Sequence, residues 1–370
     1  MNREKNKIGA GTVVIIIISM ITGWFFGVVL ENMEFIDPEL PGAFFYNLLC
    51  IVLSVLFAAY FQIIIHESGH LIFGLLTGYS FQSFRIGSFI LVKEDGKLKL
   101  RKFRLAGTSG QCLMAPPEYS DDMPVVLYNL GGVIMNLLSA AICLLLYYFV
   151  FRNVRMISPL LVLTALLGIA FAAMNGIPLD MSLVSNDGKN LVDILHNKRA
   201  RKAFWAQLKI SRLSRQGIST ADMDDSLFEV SGHEDNLLVN TIRVMKCDRL
   251  LNQGKINEAY KLMKALTDGD AIITNLHRNM LMSECLFCEL VSDNNEATVE
   301  HYHTRCQNIY KSMKDYPPFI RTQYAYAVIH DKDQVKAREI LEHFEKVKKS
   351  YPYPESIRDE EKLIAIVNER

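Results

Sequence analysis

Residues 61–76, FQIIIHESGHLIFGLL, place a polar cluster in the middle of an apolar run. The cluster consists of His66, Glu67, Ser68 and His70. Ionisable groups are costly in lipid and are retained there mainly where they have a function. We therefore expect a membrane-spanning helix that carries a functional site.

Four apolar segments predict a polytopic α-helical membrane protein with about four transmembrane helices. They are Ile8–Leu30, Ala43–Gly78, Val125–Phe151 and Ser158–Pro178. A transmembrane helix needs roughly 20 predominantly apolar residues. The first segment is too long for the apolar part of a signal peptide, and no small-residue cleavage site closes it, so we expect an uncleaved transmembrane helix.

The distribution of basic residues predicts which loops face the cytoplasm, because cytoplasmic loops carry an excess of lysine and arginine. Basic residues precede the first apolar segment, and acidic residues follow it. Basic residues recur in the loop after the second segment and after the fourth. We therefore expect a multi-pass protein of the cell membrane with a cytoplasmic N-terminus and a cytoplasmic C-terminal domain. The short turn Arg152–Arg155 is the exception to the rule in this arrangement.

The basic loop after the second apolar segment contains a predicted β-hairpin beside the membrane. Phe89–Leu105, FILVKEDGKLKLRKFRL, has two strand-like runs around Asp95-Gly96, which favours a tight hairpin turn. The hairpin is either purely structural or an edge that pairs with an extended peptide. The following segment, Gly107–Pro124, is rich in glycine and proline and favours a structured re-entrant or surface loop.

The chain after about residue 180 has the charge density of a soluble protein. Helix-start patterns near Ala259, Ala297 and Ala337 recur at spacings of about 40 residues. Such periods predict an all-α domain of stacked helical hairpins, similar to tetratricopeptide repeats. We expect this domain to bind a protein partner or to serve in packing.

Composition excludes several classes of protein. The formal net charge is +0 and no basic stripe with interleaved aromatic residues is present, so we expect no nucleic-acid partner. The seven cysteines are an odd number scattered along the chain, which does not indicate a disulfide framework. Cys285 and Cys288 form an isolated CxxC, which favours buried core thiols over a metal site.

The HESGH sequence fits H-E-x-x-H. Residues four apart on a helix share one face, so His66 and His70 can bind one metal ion. Zinc suits two imidazoles and a third ligand, with the fourth position open for water. Glu67 lies beside the histidines and is placed to take a proton from that water. We therefore predict a catalytic Zn²⁺ site.

The third ligand should come from the inner end of the last apolar segment, residues 174–190, MNGIPLDMSLVSNDGKN. Asn175 and Pro178 interrupt the helix there, and irregular backbone at membrane depth is tolerated only where it is buried or lines a cavity. Two carboxylates follow, Asp180 and Asp187. Spacing alone does not choose between them.

This order of motifs resembles the site-2 protease family of intramembrane zinc metalloproteases, whose three-helix core carries HExxH on its first helix and N-x-x-P…D-G on its third. The matching positions are His66, Glu67, His70, Asn175, Pro178, Asp187 and Gly188. The resemblance implies that Asp187 is the third zinc ligand and Glu67 the general base. It also implies that Asn175 holds the substrate or the oxyanion.

The resemblance covers about residues 43–190. Asn136 in GGVIMNLL is similar to the G-x-x-x-N stretch of the family's middle helix. The spacing from Asn175 to Asp187 is longer than is usual in the family, and no PDZ-like insert is present.

We thus predict three parts: an N-terminal transmembrane helix and external loop (1–42), an intramembrane metalloprotease core (43–190) and a cytoplasmic helical-repeat-like domain (191–370). The predicted function is hydrolysis of a peptide bond in or near the transmembrane segment of a protein or peptide. The alternative is a catalytically inactive membrane adaptor whose helical tail binds a partner. A CAAX-processing type of protease is disfavoured, because no E-x-x-x-D pattern follows in a suitable membrane span.

Overall fold

Helices dominate the computed structural model, which describes residues 10–31, 35–94, 96–105, 107–179, 185–229 and 236–370. These residues divide into two units. The first is built from the apolar helices and residues 185–192, and the second from residues 80–123 and the chain from residue 193 onward. The β-strands therefore group with the C-terminal helices. The predicted domain boundaries at residues 42 and 190 stay predictions.

The first unit contains four apolar helices and the start of a fifth, polar one. They are α1 (Ala10–Glu31), α2 (Ala43–Leu76), α3 (Val126–Leu146), α4 (Ile157–Gly176) and α5 (Asp187–His196). Among the described residues, three helices are long and apolar enough to cross a membrane: α2, α4, and α3 extended by a π-helical turn to Phe151. These helices are compatible with the predicted α-helical membrane protein. The described apolar part of α1, Val13–Val28, is shorter, so a fourth span stays a prediction.

The side chains of α2 are distributed as a membrane helix requires. Its outward residues are large and apolar, with Phe44 and Phe45 more than 70% exposed. Its buried residues are small or polar and include Gln62 and Gly69. Lipid solvates apolar side chains, so polar groups turn inward, where other helices satisfy them.

Two glycines allow α2 and α3 to meet backbone to backbone beside the HESGH turn. A Cβ atom on Gly69 would lie 2.1 Å from the carbonyl oxygen of Gly131, and one on Gly131 would lie 2.5 Å from that of Gly69. Small residues permit such close approach between helices in membranes. Any larger residue at either position would separate the two helices.

The second unit begins with a four-stranded antiparallel sheet of order β3-β2-β1-β4. Its strands are β1 (Ser80–Ile86), β2 (Phe89–Glu94), β3 (Lys97–Lys102) and β4 (Gly110–Ala115). The hairpin predicted over Phe89–Leu105 is present as β2 and β3, with Gly96 at φ 77° in its turn. Asp95 lies outside the described residues. The prediction of a loop over Gly107–Pro124 is wrong where β4 pairs with β1, because long-range pairing leaves little trace in local composition.

Eight α-helices follow in the described part of this unit after α5. They are α6 (Lys198–Arg215), α7 (Leu237–Asn252), α8 (Ile256–Asp268), α9 (Asn275–Val291), α10 (Glu296–Ser312), α11 (Pro317–Ala325), α12 (Gln334–Lys348) and α13 (Pro354–Asn368). Neighbours α7 and α8, α9 and α10, and α11 and α12 pack as pairs, and α7, α9, α11 and α13 contact one another in a row. The patterns near Ala259, Ala297 and Ala337 each open the second helix of a pair. Paired helices are thus present, and the likeness to tetratricopeptide repeats stays a prediction.

The CxxC cysteines are buried core thiols, as predicted. Cys285 and Cys288 are free thiols with 0% exposure in the core of the helical pairs. Burial raises the pKa of both thiols, which keeps them protonated and unreactive.

A buried ionic group ties the row of helices together. Arg321 on α11 donates from Nη2 to Glu284 on α9 at 2.7 Å and from Nε to Glu360 on α13 at 2.9 Å. Its guanidinium lies 3.9 Å from the ring centroid of Phe287. Burial raises the pKa of both carboxyls, and Arg321 opposes that shift without cancelling it.

Candidate metal centre

Three predicted ligands converge in the first unit. His66 and His70 lie one turn apart on α2, and their Nε2 atoms are 3.2 Å apart. The Oδ2 atom of Asp187, the first residue of α5, lies 3.1 Å from the Nε2 of His66 and 3.4 Å from that of His70. Across the residues that the structure describes, this is the group of His, Cys, Asp or Glu side chains close enough to share one ion.

The hydrogen bond to Asn136 fixes the tautomer of His66. Asn136 Nδ2 lies 3.0 Å from the backbone carbonyl of Gln62, which can only accept, so the Oδ1 of Asn136 faces the imidazole. Nδ1 of His66, 2.7 Å from that oxygen, must therefore donate. Nε2 is left with a lone pair directed at the other two ligands.

His70 is fixed in the same way by α3. Its Nδ1 lies 2.7 Å from the backbone carbonyl of Tyr128, so Nδ1 donates, and in the neutral ring Nε2 carries the lone pair. Tyr128 is itself held by stacking on Tyr79, with ring centroids 4.6 Å apart. Each histidine thus donates from Nδ1, His66 to the side-chain amide of Asn136 and His70 to the backbone carbonyl of Tyr128. Hydrogen bonds of this kind orient metal-binding imidazoles.

With both rings neutral, three hydrogen-bond acceptors face one another at this point without a donor between them. The Oδ2 atom of Asp187 is buried and has no hydrogen-bond partner among the described residues. Converging lone pairs repel, so the arrangement is stable only with a cation or a proton between them.

The separations match the requirements of zinc. Zinc bonds of about 2.0–2.2 Å place the ligand atoms of a tetrahedron about 3.3–3.6 Å apart. The observed separations of 3.1, 3.2 and 3.4 Å are close to one triangular face of such a tetrahedron. Two imidazoles and one carboxylate form a donor set found at catalytic zinc sites, which keep the fourth position open.

Asn186 holds Asp187 in place and was missed in the sequence. Its Nδ2 donates to the carbonyls of Met174 and Ile177, at 2.7 and 2.6 Å, at the end of α4. Its Oδ1 accepts from the backbone N–H groups of Leu179 and Lys189, at 3.2 and 3.0 Å. One amide therefore ties the end of α4 to the start of α5. The signal for it was its position directly before Asp187, where α5 begins, because asparagine is a preferred capping residue.

Glycines shape the site on two sides. A Cβ atom on Gly132 would lie 2.4–2.6 Å from three ring atoms of His66, so only glycine leaves room for the imidazole against α3. A Cβ atom on Gly188 would lie 2.2 Å from the carbonyl oxygen of Gly176, so glycine lets the start of α5 approach the end of α4. The D-G and G-x-x-x-N patterns therefore have a steric basis in this chain.

The structure describes two of the remaining predicted site residues, Glu67 and Asn175. Glu67 is buried next to the histidines and interacts electrostatically with His70. Asn175 is half-buried and donates to the carbonyl of Phe171 in its own helix at 3.0 Å, so its role toward a substrate stays a prediction. The alternative ligand, Asp180, lies outside the described residues.

Comparisons with models of protein families, with curated proteins and with solved structures found no match to this chain. The similarity to site-2 proteases therefore rests on the motif residues alone.

Proposed function

We propose that the protein is an intramembrane zinc metalloendopeptidase that hydrolyses a peptide bond in or near the transmembrane segment of another protein or a peptide. One observation carries the proposal. The lone pairs of His66 and His70 meet the carboxylate of Asp187 at separations of 3.1–3.4 Å, inside a bundle of apolar helices. Such a cluster is costly at membrane depth unless it serves a function.

The chain's own residues would divide the work as follows. His66, His70 and Asp187 hold the ion, which when bound supplies a Lewis acid that acidifies water and polarises the scissile carbonyl. Glu67 would accept a proton from the attacking water as the C–O bond forms, and would then give that proton to the leaving amine as the C–N bond breaks. Asn175 turns its amide from its own helix to the substrate carbonyl.

The proposal also has consequences for the substrate and for the placement of the chain in the membrane. A transmembrane helix hides its carbonyls in hydrogen bonds, so a substrate must unwind locally before hydrolysis. We place the protein in the cell membrane with α1 as a fourth span and with a cytoplasmic C-terminal domain. The helical pairs of that domain recruit a protein partner or the substrate, a role in which helical arrays present extended surfaces.

The proposal is tested by co-expressing the full-length protein with candidate single-span proteins and identifying cleavage products by mass spectrometry. Glu67→Gln should abolish the products while leaving bound zinc unchanged, because the amide cannot accept the proton. Glu39→Gln, an exposed acid in the loop before α2, is the matched control and should cleave as the wild type does.

Two outcomes would overturn the proposal. Products that persist in Glu67→Gln would remove Glu67 from the reaction. Purified wild-type protein without stoichiometric zinc or another divalent metal would favour the non-catalytic adaptor, whose helical tail would then be the functional part.

A further inference from the structure

Gln62 anchors a polar network inside the bundle, one helical turn before His66. It is 0% exposed, although glutamine is rarely buried completely. Its Nε2 donates to the carbonyl of Thr164 on α4 at 2.9 Å and to Ser139 Oγ on α3 at 3.2 Å. Its Oε1 accepts from Asn136 Nδ2 at 2.7 Å. The side chain therefore joins all three long helices.

The bundle is shaped to admit this side chain. A Cβ atom on Gly168 of α4 would lie 2.8 Å from Gln62 Nε2, so glycine provides the space. An amide buried among apolar helices costs free energy unless its hydrogen bonds are made, and both ends of this amide make them. The space left by Gly168 and the hydrogen-bond partners at both ends of the amide show that the three helices accommodate Gln62 specifically.

The network determines which end of Asn136 faces the metal ligand. Asn136 Nδ2 donates to two oxygens of Gln62, the backbone carbonyl at 3.0 Å and Oε1 at 2.7 Å. If Oδ1 and Nδ2 of Asn136 exchanged places, Oδ1 would lie against both of these Gln62 oxygens. The exchange would also present an N–H to His66 Nδ1, and the imidazole proton would then move to Nε2, where it blocks metal binding.

We infer that Gln62 is a positioning residue: acting through Asn136, it holds His66 in the tautomer that binds the metal. The inference rests on the proposed function, since it assigns His66 as a ligand. Gln62 itself touches neither ion nor substrate. Partners of this kind change metal affinity by about 10–100-fold when they are removed.

The test compares three variants of the full-length protein in detergent. Gln62→Met keeps the side-chain length and removes both polar groups. Gln62→Glu, kept protonated by its apolar surroundings, retains a carbonyl oxygen for Asn136 and an O–H for Thr164. Leu163→Ala creates a cavity in fully buried packing of α4 without removing a polar group, and controls for loss of stability alone.

Two measurements separate positioning from packing. Zinc affinity is measured by competition with a chelator, and the tautomer of His66 in metal-free protein is measured from the ¹⁵N shifts of its ring. Gln62→Met removes Oε1 but keeps the backbone carbonyl of residue 62 as the second acceptor for Asn136. We therefore expect it to bind zinc about 10-fold more weakly and to populate the tautomer with the proton on Nε2 beside the wild-type tautomer. Gln62→Glu should restore both properties, and Leu163→Ala should lower thermal stability while keeping both.

The outcomes distinguish this inference from the proposed function. Wild-type protein that binds no metal overturns both. Wild-type protein that binds zinc, together with an unchanged affinity and tautomer in Gln62→Met, overturns only the role of Gln62. An equal loss in Gln62→Met and Leu163→Ala overturns it as well, since that loss would come from packing.

Discussion

Gly132→Ala tests the geometry of the candidate metal centre with the smallest possible change. The added methyl group would lie 2.4 Å from the nearest ring atom of His66, whereas ordinary contacts begin at 3.4 Å. The imidazole must therefore retreat by about 1 Å. Metal–ligand distances tolerate deviations of about 0.2 Å, so the displaced nitrogen no longer binds well.

The strain has no easier route of relief. Separation of α3 from α2 would spare the imidazole, but it would pull Asn136 and the Tyr128 carbonyl away from the histidines that they orient. Either response disturbs the ligands. We expect the zinc affinity of Gly132→Ala to fall by about 100-fold, at the upper end of what loss of an orienting partner produces.

The assay is chelator competition on purified full-length protein, with the visible spectrum of the Co²⁺ form as a report on coordination. Gly23→Ala on α1 is the matched control, because a Cβ atom there meets nothing within 4 Å. It should bind zinc as the wild type does. If Gly132→Ala kept the wild-type affinity and Co²⁺ spectrum, either His66 would not be a ligand or its ring would not lie against Gly132.

Three further predictions concern the third ligand, its support and the helical tail. Asp187→Asn should remove bound zinc while Asp180→Asn keeps it, as metal analysis of the purified proteins can show; the opposite result would make Asp180 the ligand. Asn186→Ala should weaken zinc binding at least about 10-fold by chelator competition, because four hydrogen bonds that place Asp187 are lost, and an unchanged affinity would contradict this. Burial raises the pKa of Glu360 to about 7 from an ordinary 4.5, so the folded state loses stability as the pH rises through that range. At pH 8 the free energy of unfolding of Glu360→Gln should therefore exceed that of the wild type by about 1–3 kcal/mol, so the variant should unfold at a higher temperature. At pH 4 the two proteins should unfold at the same temperature. Circular dichroism of the full-length protein measures this, and an equal gain at both pH values would refute it.

Local patterns in the sequence were sufficient for the features that depend on neighbouring residues. The i, i+4 spacing of His66 and His70 already places both on one face of a helix. Asp95-Gly96 between alternating runs predicts the hairpin of β2 and β3. Apolar length predicted helices able to cross a membrane, and three such helices are present among the described residues. Each of these features needs only a few residues close together in the chain.

Features that depend on distant residues could not be predicted in this way. Asn136 and His66 are 70 positions apart, and Gln62 and Thr164 are 102 apart, so their hydrogen bonds exist only once the helices have packed. The strand pairing of β4 with β1 also joins residues that are distant in the chain, although less so. Asp187 was reached only through the resemblance to a family, since spacing left Asp180 equally possible.

Several buried polar groups around the candidate centre act on its ligands. Asn136 orients His66, the Tyr128 carbonyl orients His70, and Asn186 places Asp187. In water such groups would compete with solvent, and each would add little. These groups are buried, so solvent competes little, each hydrogen bond restricts its ligand strongly, and loss of any one leaves a buried polar group unpaired. The apolar interior makes the three facing lone pairs costly. It also allows a few amide and carbonyl groups to hold His66, His70 and Asp187 in the arrangement that a cation stabilises.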